Sequence, residues 1–197
     1  MLLEGSSQIT VEDCKFLEPV SEIANHRRYA FHTLGQQTLF QRCYSENGYR
    51  DFSVGKGVPG PNAFVQCHSE CPYSFSGSTG GFSNGILMDK ITVSGGNLEY
   101  GYRDISDQGA GWTAANSLFL ARSGFTDSLC YPSDSTQLAY GMWTQPYGNG
   151  YYQLSHTFIK PESIFYAQLT ERTGKKQELE ENKIFVYQTL ETAKPTV

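Results

Sequence analysis

A short phrase in which apolar and polar residues alternate returns five times along the chain: Ile9-Thr-Val-Glu-Asp-Cys14, Leu39-Phe-Gln-Arg-Cys43, Phe64-Val-Gln-Cys67, Leu87-Met-Asp-Lys90 and Phe119-Leu-Ala-Arg122. With the last residue of each phrase as a marker, the steps are 29, 24, 23 and 32 residues (14 to 43, 43 to 67, 67 to 90, 90 to 122). A helical repeat would space its apolar residues by three and four; a period of two flanked by Gly, Asn and Pro is that of a strand bounded by turns. One strand brought back every roughly 20 to 30 residues is the pattern of a unit that stacks on copies of itself. The expected fold is all-β, a parallel β-helix in which the five phrases lie side by side on one wall.

The bulk numbers suit that fold. A chain of 197 residues is long enough to bury a substantial core as one domain. No stretch approaches the roughly 18 apolar residues of a membrane span. A net charge of −5 argues against a nucleic-acid partner, which calls for a dense basic face. Met1-Leu-Leu-Glu lacks the basic start and long apolar run of a secretory signal. Since the repeat begins almost at residue 1, the expectation is that any signal lies outside this chain.

Cys14, Cys43 and Cys67 hold the same place in successive phrases, so stacking turns them into a ladder of small apolar side chains. A zinc site built on Cys67, His68 and Cys71 lacks the close paired cysteines of structural zinc sites and needs further ligands from distant loops. Cys71 and Cys130 fall in loop-like sequence, and spacing alone does not decide whether they pair.

Residues 1–145 read as stacked coils joined by turns such as Gly55-Lys-Gly-Val-Pro-Gly-Pro61 and Gly77-Ser-Thr-Gly-Gly81, and residues 146–197 as a C-terminal cap. Asn62, Asn84 and Asn116 stand five or six residues before a marker, as side-chain amides stacked at one corner would. In the cap, Pro161-Glu-Ser-Ile-Phe-Tyr-Ala-Gln-Leu-Thr-Glu-Arg172 followed by Gly174 predicts a helix over about 161–173, able to cover an open coil end. Alternation in Lys183-Ile-Phe-Val-Tyr-Gln-Thr-Leu190 predicts a last, outer strand over about 183–190. The opposite end has no comparable cover, so upstream coils or another chain are expected there.

The segments Arg28-Tyr-Ala-Phe-His-Thr-Leu-Gly-Gln36, Arg50-Asp-Phe, Gly60-Pro-Asn-Ala-Phe-Val-Gln-Cys67, Asn84-Gly-Ile-Leu-Met-Asp89, Gly111-Trp-Thr-Ala-Ala-Asn116 and Ser163-Ile-Phe-Tyr-Ala-Gln-Leu169, in that order, resemble the C-terminal half of secreted bacterial proteins of the pectate-lyase-like right-handed parallel β-helix family. The resemblance implies a secreted or periplasmic protein that acts on polysaccharides as a lyase or glycoside hydrolase. Fold does not fix function, and the same architecture also serves noncatalytic glycan binding and assembly with other chains.

Two constellations can carry such chemistry. Tyr49-Arg50-Asp51 and Tyr102-Arg103-Asp104 repeat one tripeptide 53 residues apart, about two coils. On one long face, with Tyr44, Tyr73 and Tyr100 nearby, they would make a groove in which arginine forks hold uronate carboxylates and aromatic faces stack on sugar rings. Asp51 and Asp104 would then lie roughly 9 to 10 Å apart, at two strand spacings, marginal for an inverting hydrolase and too wide for a retaining one. Repeated internal Arg–Asp ion pairs are the equally weighted structural alternative. The second constellation is His26, Arg27, Arg28 and His32, where His32 can act as the base of an elimination while an arginine neutralises the substrate carboxylate. Expected catalytic residues are therefore Arg50, Asp51, Arg103, Asp104 and His32, and expected substrate contacts His26, Arg28, Tyr49, Tyr102 and Trp112, the last as a sugar platform. The expected partner is an acidic polysaccharide or oligosaccharide. No cofactor is expected, and no acidic cluster has the spacing of a calcium loop.

Overall fold

The computed structural model describes residues 4–24, 26–102, 111–120, 126–130, 137–141, 146–147, 151–154 and 156–176. Among the described residues the chain is all-β with one short helix, and its strands form four parallel sheets: three larger ones, called walls below, and a two-stranded one in which Ser83–Asn84 pairs with Ala114–Ala115. The first wall has seven strands in the order Thr10–Glu12, Thr38–Gln41, Asn62–Val65, Ile86–Asp89, Ser117–Leu120, Gln137–Tyr140 and Tyr151–Gln153. The second has four, Lys15–Phe16, Tyr44–Glu46, His68–Glu70 and Thr92–Ser94. The third has six, Tyr29–Thr33, Arg50–Val54, Ser76–Ser78, Gly96–Tyr100, Thr126–Cys130 and Pro146–Tyr147. Within each wall, sequence order is spatial order, so every pass of the chain adds one strand beside the previous one.

Alternation decides what fills the space between the walls. Val11, Phe40, Phe64, Met88, Phe119, Ala139 and Tyr152 are in register along the first wall, and all belong to the core or pack against it. Phe40 and Phe64 stack at 4.9 Å between ring centroids. Phe52 of the third wall meets Phe64 edge-on at 6.0 Å, and Tyr100 stacks on Phe119 at 3.9 Å, so residues of different walls share one interior. Each large apolar side chain withdrawn from water there contributes about 1.5 to 3 kcal/mol.

A single residue turns the chain from the first wall to the second. Asp13, Arg42, Gln66 and Lys90 occupy this corner in successive passes with φ of 55°, 51°, 52° and 58°. Each donates its N–H across to the next pass, at Gln41, Val65, Asp89 and Leu120 respectively. The left-handed region costs a side-chain-bearing residue about 1 kcal/mol, and the repeated bond offsets it. The inward residue that follows is Cys14, Cys43, Cys67 and then Ile91, so the sequence marker at Lys90 falls one residue early. Cys43 and Cys67 are buried, whereas Cys14 in the first pass and Cys71 are exposed; all four thiols are free.

Two expectations need revision. The asparagines do not form one stack: Asn116 Nδ2 donates to Asn84 Oδ1 at 3.1 Å, whereas Asn62 is in register with Ile86, is buried, and accepts from Thr38 N at 3.0 Å and Thr38 Oγ1 at 2.7 Å. The wall strands also run past residue 145, because Pro146–Tyr147 and Tyr151–Gln153 still pair in parallel. After them the chain doubles back over the outer face of the first wall. Ile159 lies against Gly141, Lys90 Nζ meets Glu162 at 3.2 Å, and Ser163 Oγ donates to the buried Asp89 carboxylate at 2.8 Å. The helix spans Ile164–Thr173 and leads into Gly174, whose φ of 67° and N–H bond to the Thr170 carbonyl end it. The expected outer strand at about 183–190 lies outside the described residues. No helix among the described residues is long and apolar enough to cross a membrane.

Candidate functional site

The Tyr-Arg-Asp tripeptides do not repeat in space. Ser53 is in register with Gly77 and Gly77 with Glu99, so Tyr49 stands four residues before the common position and Tyr102 three after it. Arg103 and Asp104 lie outside the described residues. Tyr102 and Trp112 pack edge to face at 4.9 Å and are joined by an antiparallel bridge, apart from Tyr49.

Asp51 is an interior residue, where the groove reading required it in solvent. Its side chain is fully buried. Ser45 Oγ donates to Oδ1 at 2.7 Å, and Ser69 Oγ donates to Oδ2 in a short bond. Ser45 and Ser69 are in register between Phe16 and Val93 along the inner face of the second wall, and both of those pack in the core. Phe52, the next residue, also belongs to the core, and the pairing of Tyr29–Thr33 with Arg50–Val54 skips Ala30 and Asp51. That break in alternation lets two consecutive side chains turn inward. Burial raises the Asp51 pKa against the lowering effect of its two serine donors. A carboxyl so placed ties the second wall to the start of the third and is out of reach of a polysaccharide.

Arg50 is withdrawn too, only 5% exposed, with its guanidinium carbon 3.8 Å from the Phe75 ring centroid and 5.9 Å from that of Tyr29. His32 is buried and its Nδ1 lies 2.8 Å from Ser53 Oγ. Burial, assisted by the charges of Arg50 and His26, lowers its pKa to about 4. The imidazole is therefore neutral at pH 7 and a weak base.

The remaining candidates converge on the corner where the second wall passes into the third. Tyr49 N–H donates to Arg28 O at 2.8 Å, and Tyr73 N–H to Gly48 O at 2.9 Å. The pairings of Tyr29 with Arg50, and of Glu46 with Glu70 and Ser53 with Gly77 on either side of Tyr49, set Arg28, Tyr49 and Tyr73 at one position in three successive passes, about 4.8 Å apart along the stack. Tyr29 stacks on Tyr49 at 6.2 Å with the rings 9° from parallel, and His26 lies 6.2 Å from Tyr29. The Arg28 guanidinium carbon is 6.0 Å from the Tyr73 ring centroid, and Arg28 Nε is buried with no hydrogen-bond partner among the described residues. Tyr73 is 53% exposed. Beside it opens a cavity of about 320 Å³ lined by Pro72, Tyr73, Phe75, Gly96, Asn97 and Glu99. The ledge so formed offers a cation, phenol faces and polar ends to solvent.

Of the ledge, the sequence pointed to His26, Arg28, Tyr49 and Tyr73 but not to Tyr29, Phe75, Asn97 or Glu99. The overlooked signal was the double Cys43-Tyr-Ser-Glu46 and Cys67-His-Ser-Glu70. It places the second wall in register and therefore fixes which residues after it share a corner. The same register settles the zinc reading: Cys67 points into the core, while His68 faces the other way, stacked on Tyr44 at 5.5 Å with Nε2 3.0 Å from Glu70 Oε2. Among the described residues, no group of three His, Cys, Asp or Glu side chains is placed to hold a metal ion. Comparison with protein-family models, with curated proteins and with solved structures gives no match.

Proposed function

We infer that the three walls are those of a right-handed parallel β-helix and that its corner ledge binds an acidic glycan without cleaving it. Support for the helix is that the first four passes visit the three walls in the same order and that the later strands of the first and third walls continue in parallel register; parallel crossovers are right-handed in about 98% of cases. The observation that carries the ligand class is the ladder Arg28, Tyr49, Tyr73. A guanidinium fork suits a uronate carboxylate, and phenol faces one pass apart suit successive sugar rings. A place outside the cytoplasm, where such chains are met, goes with this reading. Binding is favoured over cleavage because Asp51 is sealed inside and His32 is buried and weakly basic.

Titration calorimetry with uronate oligosaccharides and with neutral oligosaccharides of equal length tests the ledge. The uronates bind, Arg28→Gln weakens them about tenfold, the worth of one charge-assisted bond, and the neutral series binds no tighter to the wild type than to the variant. Equal affinity for both series sinks the acidic-glycan reading. Unsaturated products in the ultraviolet, or new reducing ends, on prolonged incubation overturn the noncatalytic part.

A further inference from the structure

We propose that the cavity beside Tyr73 is a second subsite of the ledge, for an uncharged, N-acetylated sugar, so that the glycan bound there alternates a uronate with an N-acetylhexosamine. This rests on the reading of the ledge as an acidic-glycan site and narrows its ligand to one class.

The cavity exists because one pass is shorter than its neighbour. Glu70 is in register with Ser94, and Ser76 with Leu98. Between these fixed points the third pass has five residues, 71–75, and the fourth only three, 95–97. Tyr73 is the middle residue of the longer corner and Gly96 that of the shorter. A Cβ on Gly96 would run into the Pro72 ring, so the corner passes there only without a side chain. The ladder of Arg28, Tyr49 and Tyr73 therefore ends in a notch. Its volume of about 320 Å³ is at the small end for a ligand pocket, room for one sugar unit rather than a length of chain.

The lining decides what the notch takes. Among the described residues no lysine, arginine or histidine lines it, and Glu99 does. Arg50 lies against the Phe75 ring, 3.8 Å from its centroid, but is 5% exposed and outside the lining. A carboxylate brought there would give up its water with no cation to meet it. An acetamide finds matching groups. Asn97, exposed on its strand, offers a donor and an acceptor, Glu99 offers an acceptor for the amide N–H, and Pro72 and Phe75 give the methyl apolar sides.

The two subsites are neighbours. The Arg28 guanidinium carbon is 6.0 Å from the Tyr73 ring centroid, and the same ring bounds the notch. A carboxylate held by Arg28 leaves the next unit of its chain at the notch. The ligand that fills both has a charged unit beside an uncharged one, which repeated along a chain is alternation. A chain with a carboxylate on every sugar fills the first subsite and is turned away from the second.

Titration calorimetry and saturation-transfer NMR on the full chain test this, with a hexasaccharide of alternating glucuronate and N-acetylglucosamine set against hexagalacturonate. The alternating chain binds about tenfold tighter, the worth of one or two neutral hydrogen bonds, and its acetamide methyl takes up the strongest saturation. Asn97→Phe, which fills the notch, brings the alternating chain down to the affinity of hexagalacturonate, leaves the latter unchanged and removes the methyl signal. Asn97→Ala, which adds no bulk, weakens the alternating chain about three- to fivefold, so the result does not depend on how the larger variant folds. Equal affinity for the two chains, or a preference for hexagalacturonate, overturns the second subsite and leaves the acidic-glycan reading standing. A preference that survives Asn97→Phe overturns its placement in this cavity. Binding of neither chain overturns the acidic-glycan reading itself, and this inference with it.

Discussion

The molecule builds two ladders by the same device, one residue per pass at a fixed register, and they end up with opposite properties. Ser45 and Ser69 climb the inner face of the second wall and find a carboxyl group, Asp51, that accepts a hydrogen bond from each hydroxyl. Arg28, Tyr49 and Tyr73 climb the neighbouring corner and face outward, with Tyr73 half exposed and Arg28 Nε lacking a partner among the described residues. A few residues of chain separate the two. Polarity therefore does not tell an outer ladder from an inner one; the direction of the side chain does, and that direction is set by the break in alternation at Asp51.

The interior ladder should answer to stability measurements and the corner ladder to binding. The largest effect is expected where the inner face is apolar. Phe64 is fully buried, stacked on Phe40 and edge-on to Phe52, so Phe64→Ala should cost about 3 to 5 kcal/mol in urea unfolding. A loss below about 1 kcal/mol would mean that the walls do not share one core.

His32 is the second largest case, and it acts through pH. Its folded pKa of about 4 lies below the ordinary 6.5. Between these values the unfolded chain binds the proton and the folded chain does not, so stability rises with pH across that window and is lost as pH falls through it. The whole shift amounts to roughly 3 kcal/mol. His32→Gln should flatten the curve of unfolding free energy between pH 4 and 6.5, and a parent curve already flat there would show that the imidazole is hydrated.

The strand phrases were legible because burial imposes a strict period of two, and Phe40, Phe64, Met88 and Phe119 line up as the alternation requires. Cys43 and Cys67 were legible as buried rungs for the same reason, whereas Cys14, in the first pass, is exposed. The site was less so. Arg50 and Asp51 were read as a pair aimed at solvent, but one skipped pairing in the third wall turns Asp51 inward and leaves Arg50 under Phe75. A break in alternation depends on the neighbouring strands, and a single strand's sequence carries no mark of it. Likewise, the second Tyr-Arg-Asp repeats a word without repeating a register, because the loops between passes differ in length.

Asp51 supplies the sharpest contrast with the ledge. Asp51→Ala leaves the Ser45 and Ser69 hydroxyls without their acceptor and should cost about 1 to 3 kcal/mol. Asp51→Asn keeps the shape and removes the charge. Burial raises the folded pKa above its ordinary value near 3.9, so the folded state holds its proton to higher pH than the unfolded chain. The contribution of Asp51 is complete below that ordinary value and falls as pH rises through the raised one, opposite in sign to that of His32. Stability of Asp51→Asn should therefore lose less than wild type on going from acid toward neutral pH. Equal slopes would indicate that the carboxyl is solvated and that the ladder is not sealed.

The smallest effect on stability belongs to the ledge, and there a near-zero result is informative. Tyr73 has an exposed ring, and its backbone N–H, which a substitution keeps, makes the bond to Gly48. Tyr73→Ala should shift the unfolding free energy by no more than about 0.5 kcal/mol, while weakening uronate binding several-fold through loss of the stacking face. If stability falls by 2 kcal/mol instead, Tyr73 is a packing residue of the corner and the division between an inner, structural ladder and an outer, recognising one fails. If stability holds and binding holds as well, the ring plays no part in recognition, and the ligand must be carried by Arg28 and its neighbours Tyr29 and Tyr49 in the first two passes.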